Sequence, residues 1–398
     1  MAAVRVILKS IGALALAAGG CSFDPGGSVI PDQIPGAGDE SVELDCTEWA
    51  PAPELVDPCQ LGRPSRSLSL FRDGDYLYDT DTSELLAPDG ESLGALPSVE
   101  LEQTHVGMRV LFVDSVEIGP NATLRAEGSR MLVLAAWNEI DIHGAIDVSS
   151  RLDRDGAGAN SGCGQVGSRN GQPSDPVDKG PGGGAGGSLY ALGGAGAVGA
   201  SDGGDPDGGA PASLFVSALP EIHPGCLGGS GGTGTLTDDA GESGSGGGAV
   251  YLAARKTISV DGVINAGGAG GRTGKNWGGG GGGGSGGTIG LSATSIYVSG
   301  AIVAHGGGGA GAASHDMPGA DGQDAFNSVD RPASGGTVNH DHAGVGGAGG
   351  FCDTPAESGT ADEDSGGGGG GSVGNVTLAG HAVSQLAPGA RVTGHQCQ

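Results

Sequence analysis

Aromatic residues make up only 4% of the chain, and 18 Lys and Arg stand against 46 Asp and Glu, for a formal charge of −28. The shortage of aromatics argues against a thick conventional core. The shortage of cations excludes nucleic acid as a partner, because a phosphate-binding surface needs clustered positive charge to displace counterions. No two of the seven cysteines stand at C-x-x-C spacing, which removes the commonest zinc arrangement. What replaces these residues is glycine, 88 of 398 positions, about three times the usual share of roughly 7%. Glycine tracts make poor α-helices, so very little helix is expected. The acidic residues are spread through turns and loops, as on a solvated surface; cation binding is their main alternative use.

Between the glycine tracts one phrase recurs. Val250-Tyr251-Leu252-Ala253-Ala254 is followed by Ile258 to Gly268, and Ile289-Gly290-Leu291-Ser292-Ala293 by Ile296 to Gly307. An earlier copy, Val133 to Ala136 and then Glu139 to Val148, repeats the spacing of Leu252, Ile258, Val260, Gly262, Ile264 and Ala266. Apolar positions alternate with polar or small ones, which predicts short strands with one face inward. The glycine between two strands marks a tight corner or a positive φ. A phrase of this size repeated along a chain predicts an all-β fold, a right-handed parallel β-helix or solenoid with long glycine-rich loop insertions. Strands are also expected at Val110–Val113, Val116–Ile118 and Thr123–Ala126, with a blurred last copy from Asn375 to Val392 and a shorter one at Gly187–Gly194. The Asp73-Gly74 pair predicts a hairpin or strand-turn-strand.

The insertions run roughly over 152–187, 193–248, 267–287 and 306–374. Partial order pinned by disulfides is expected for them, with close-packed extended glycine helices as a further possibility. Cys46, Cys59, Cys163, Cys226, Cys352 and Cys397 are an even set, and proximity pairs Cys46 with Cys59, Cys163 with Cys226, and Cys352 with Cys397.

Residues 1–21 read as an export signal: Arg5 and Lys9, a short apolar stretch from Ile11 to Ala18 that is too short to cross a bilayer, and Gly19-Gly20-Cys21. This resembles the lipobox of bacterial lipoproteins, with Ala18 where Leu is usual, and implies lipidation of Cys21. Residues 22–41 read as a flexible tether, 42–105 as a small disulfide-stapled cap, and 106–398 as the glycine-rich repeat region. With its glycine run, I-x-L-x-A and I-x-V-x-G-x-I-x-A-x-G-G behind a lipobox, the chain resembles the glycine-rich β-solenoid surface lipoproteins of Gram-negative soil bacteria. That family implies no reaction and no site residues.

Candidate chemistry is sparse. Two G-x-S-x-G matches, at Gly228–Gly232 and Gly283–Gly287, lack the strand-to-helix context of a nucleophile elbow and follow from glycine abundance. Asp202, Asp205 and Asp207, and Asp316, Asp321 and Asp324, are weak calcium candidates, and His340 and His342 are weak candidates for zinc or copper. Asp141 and Asp261 read as equivalent positions on stacked strands, and Asp147 matches Asn265, so a carboxylate pair on a groove is conceivable. The expected function is a non-catalytic, lipid-anchored cell-surface structural or adhesion protein in the outer membrane, facing the exterior or periplasm, with a surface glycan or matrix protein as partner and no required cofactor. The alternatives are a secreted form, a carbohydrate-binding or polysaccharide-cleaving β-helix, and a calcium-dependent scaffold.

Overall fold

Short strands with alternate apolar residues turned inward stack into three ladders. The structure is a computed structural model. It describes residues 64–394 except 104–105, 164–168, 175–179, 201–204, 213–221, 235–238, 316, 326–330, 340–341 and 389. The described residues all fall in the unit Leu44–Gln398. The export signal, the tether, Cys46, Cys59 and Cys397 lie outside them.

The first ladder joins β1 (Leu68–Leu70), β7 (Val116–Ile118), β10 (Glu139–Ile142), β13 (Thr257–Val260) and the second half of β15 (Thr288–Val298). The second joins β5 (Ser98–Gln103), β6 (Val106–Val113), β9 (Met131–Ala136), β12 (Val250–Ala254), the first half of β15, and β17 (Asn375–Leu386), which pairs with both halves of β15. Because β15 serves both, they form one 10-stranded sheet. The third ladder is a separate 8-stranded sheet of β4 (Ser92–Ala95), β3 (Glu84–Leu86), β2 (Gly74–Asp79), β8 (Ala122–Glu127), β11 (Ala145–Asp147), β14 (Val263–Asn265), β16 (Ala301–Val303) and β18 (Arg391–Thr393).

This corrects the expected right-handed parallel β-helix. Both sheets are mixed: β2 with β3, β3 with β4, and β5 with β6 are antiparallel. Apolar alternation specifies which face of a strand is buried, but not the direction of its neighbour. Two local readings change with it. Of the two readings of Asp73-Gly74 the strand-turn-strand holds and the hairpin does not, since β1 pairs with β7 while β2 pairs with β8. Residues 187–194 form no strand; Leu189 is instead fully buried against Cys163 and Cys226.

Between the sheets lies a narrow core of aligned columns. Tyr76, Leu124, Ile146, Ile264, Ile302 and Val392 occupy matching positions on six successive strands, and all are buried. Burying each such side chain contributes about 1.5–3 kcal/mol. The corner glycines stack in the same way, and close approach is what demands glycine there. A Cβ on Gly262 would lie 1.8 Å from the Gly144 carbonyl oxygen, and one on Gly300 2.0 Å from that of Gly262. A second apolar cluster, including Met108, Val133, Trp137, Ile222 and Tyr251, covers the outer side of β6, β9 and β12.

The glycine insertions form a second, hydrogen-bonded body. Segment 278–287 donates in strict rotation to three neighbours: Gly279, Gly282 and Ser285 to residues 232, 229 and 226; Gly280, Gly283 and Gly286 to 366, 369 and 372; Gly281, Gly284 and Gly287 to 272, 269 and 266. It accepts in rotation from three more, in segments 307–313, 241–247 and 184–187. A chain with three residues per turn and no internal hydrogen bonds presents successive amides in three directions, as a polyproline II-type helix does. Segments 181–187, 304–313 and 366–374 are enclosed in the same way. Around these four run 169–174, 194–199, 206–210, 225–234, 241–248, 266–272, 320–325, 333–337, 344–350 and 357–360, a close-packed lattice of backbone.

Candidate functional site

The densest polar chemistry in the described residues begins where β11 leaves the third ladder. Arg125, on β8, lies opposite Asp147 on β11, and Asp147 opposite Asn265 on β14. Asp147 is buried and accepts from both the Arg125 and Arg151 guanidiniums at 2.7 Å. Its other oxygen accepts from the Ser149 amide at 3.0 Å and the Ser149 hydroxyl at 2.6 Å. Asn265 does the corresponding job one rung on, taking the Gly267 amide at 2.9 Å. Both side chains direct the chain from its last strand into an outgoing glycine segment. Asp147 is thus a structural carboxylate, saturated by partners.

Beyond this pair the chain folds back at Arg151–Arg154, and a cavity of about 290 Å³ opens between that turn, residues 242–245 and residues 269–272. Arg151, Arg154 and Arg272 line it, opposed by Asp153, Asp155 and Glu242. Arg154 holds Asp153 at 3.2 Å and keeps its carboxyl below the ordinary value, while Arg272 lies 3.4 Å from Glu242 and donates to the Leu152 carbonyl. Asp324 accepts from the Leu152 amide at 3.1 Å and the Gly270 amide at 2.9 Å, and burial raises its pKa. Each guanidinium is matched by a carboxylate. The surface therefore offers paired donors and acceptors without net charge of one sign, which suits a neutral polyhydroxylated ligand better than an anion.

The other sequence candidates are dispersed. Asp141 lies opposite Ser259 and Glu117, not Asp261; the two repeats align Asp261 with His143, whose Nδ1 is 3.1 Å from the Asp261 carboxylate. Burial, then Glu139, raises the pKa of Asp141. Asp205 and Asp207 are exposed, and Asp207 exchanges hydrogen bonds with Gln172. Asp321 takes the Thr273 amide at 2.8 Å. His342 is 2.9 Å from Glu363. Asp202, Asp316 and His340 lie outside the described residues. Among those described, no three His, Cys, Asp or Glu side chains are grouped to hold a metal ion. Both G-x-S-x-G serines belong to the lattice, where Ser285 is buried and accepts from the Cys226 amide at 2.8 Å. Cys163 and Cys226 are disulfide-bonded to each other, and Cys352 is disulfide-bonded to a partner outside the described residues.

Sequence reasoning missed a feature at the opposite end of segment 278–287. Asn276 and Trp277 have φ of 45° and 65°, unusual for side chains of their size. Asp239 holds Asn276 at 3.1 Å, the Ser365 hydroxyl donates to the Trp277 carbonyl at 2.7 Å, and the indole stacks edge-on with His315 at 4.3 Å. The buried Trp277 plugs the end of an enclosed glycine chain. The isolated Asn-Trp between glycine tracts was its only signal. No family model, curated protein or solved structure matches the chain.

Proposed function

We propose that this is an exported, lipid-anchored surface protein that works as a non-catalytic structural or adhesive scaffold. The observation that carries the reading is the glycine lattice, in which four chain segments are each enclosed by six others through backbone hydrogen bonds. Such a body is stiff without a large apolar interior, and it presents its side chains in the connections at the two ends of the segments. The acidic balance keeps those ends solvated. The test is to express the full-length protein in a Gram-negative host with radiolabelled palmitate, and to probe intact cells with protease and with a panel of surface glycans and matrix proteins. Label lost on Cys21→Ala, together with retention of a glycan or matrix protein, supports the reading. Label that survives Cys21→Ala, or release of new reducing ends from a polysaccharide, overturns it.

A carbohydrate-binding reading is favoured by the charge-balanced cavity at Arg151, Arg154 and Arg272, whose volume suits a single sugar unit. Loss of glycan retention on Arg154→Ala and Arg272→Ala would select it.

A further inference from the structure

The two ends of the stack of strands differ in length and charge. At the first rung, antiparallel β3 and β4 extend the third ladder and β5 extends the second, with Glu84, Glu100 and Glu102 on them, while the first ladder ends at the three-residue β1. At the last rung, β17 is 12 residues long, and among the described residues only β15 pairs with it. Natural edge strands of that length are normally protected by charge, proline or brevity. Here residues 366–390 contain no Asp, Glu, Lys or Arg, in a chain of net charge −28. Core residues are left half covered at this end: Val376, Leu378 and Leu386 are only partly buried, although they pack on the main core.

We infer that the edge of β17 is the interface of a twofold homodimer, in which the straight segment Asn375–Gly380 of one copy pairs antiparallel with the same segment of a second copy. That segment precedes the register shift opposite Ala293 and Ser295, so it offers an unbroken run of edge amides and carbonyls. A second copy fits because this uncharged edge is where two strongly acidic molecules can approach without meeting like charge. Because each copy contributes the same edge, the pairing is isologous and closes at two.

The experiment is sedimentation equilibrium on the full-length chain carrying Cys21→Ala, so that lipid cannot drive association. A mass twice that of the monomer at micromolar concentration is expected. Thr377 and Ala379 alternate with the core-facing Val376 and Leu378, so the pair Thr377→Lys and Ala379→Lys leaves the core intact and is expected to give monomers. Ser92→Lys, on exposed β4 at the opposite end, is expected to leave the dimer unchanged. A monomeric parent protein overturns the inference. So does a dimer that survives the lysine pair with native circular dichroism, or one that Ser92→Lys dissolves.

Discussion

The amide of Gly283 donates to the carbonyl oxygen of Gly369 at 2.9 Å, although the two belong to insertions that leave different strands. Its neighbours Gly282 and Gly284 donate in two other directions, to Gly229 and Ala269. Three consecutive residues thus tie three separate passes of the chain together, and stability here is held in backbone hydrogen bonds that require close approach.

Alanine in an enclosed segment is therefore expected to be far more damaging than on the lattice perimeter. A Cβ on Gly281 would lie 1.9 Å from the Glu242 carbonyl oxygen. Gly281→Ala is expected to cost about 3 kcal/mol or more, and exposed Ser334→Ala about 0.5 kcal/mol or less, in urea unfolding. The amides of residues 279–287 should exchange slowest in deuterium. Equal effects of the two substitutions would contradict the lattice.

Removing the Cys163–Cys226 bond, by the double change to serine, releases a loop with a sequence separation of 63. The chain-entropy relation gives about 4 kcal/mol for a loop of that size. The urea midpoint should fall accordingly, and no change on reduction or substitution would show the bond to be dispensable.

Asp147→Ala removes the buried carboxylate from Arg125 and leaves it only the less buried Glu127 at 2.6 Å, and a broken buried pair typically costs about 3–5 kcal/mol. Asp141→Ala, on the solvent side of β10, should change stability by less than about 1 kcal/mol. Comparing the two by thermal unfolding checks that Asp147 serves the exit turn.

Asp324 supplies a pH test. Its folded pKa lies above the ordinary 3.8 because burial disfavours the carboxylate. The native state then binds the proton more tightly than the unfolded chain, so this contribution is fully present below the ordinary value and is lost as pH rises through the raised one. The stability of the parent chain relative to Asp324→Asn should therefore fall as pH rises from below 3.8 through the raised value. A difference that rises over this interval would show the shift to have the opposite sign.

The phrase around Leu134, Leu252 and Leu291 made the strands, their inward faces and their equivalence legible, because period-two alternation is local information. The pairing of Cys163 with Cys226 was legible from proximity, and the match of Asp147 with Asn265 from spacing. Arg125 was not, since its partner is chosen by register across rungs. The cavity at Arg154 and Arg272 joins loops more than a hundred residues apart. The place of Asp141 opposite Ser259 follows from the spacing that aligns Ile140 with Ile258, and the reading of Asp141 with Asp261 was two residues out of that register.

By itself, then, the sequence determined a chain of short strands and glycine tracts that could not be helical, with a surface repelling polyanions. Only the tertiary structure decided that β3, β4 and β5 run antiparallel, so that the sheets are mixed, and that the tracts pack together as ordered backbone. Strand direction and hydrogen bonding between segments are set by which segments meet. A glycine, lacking a side chain, carries no mark in sequence of which neighbour its amide will face.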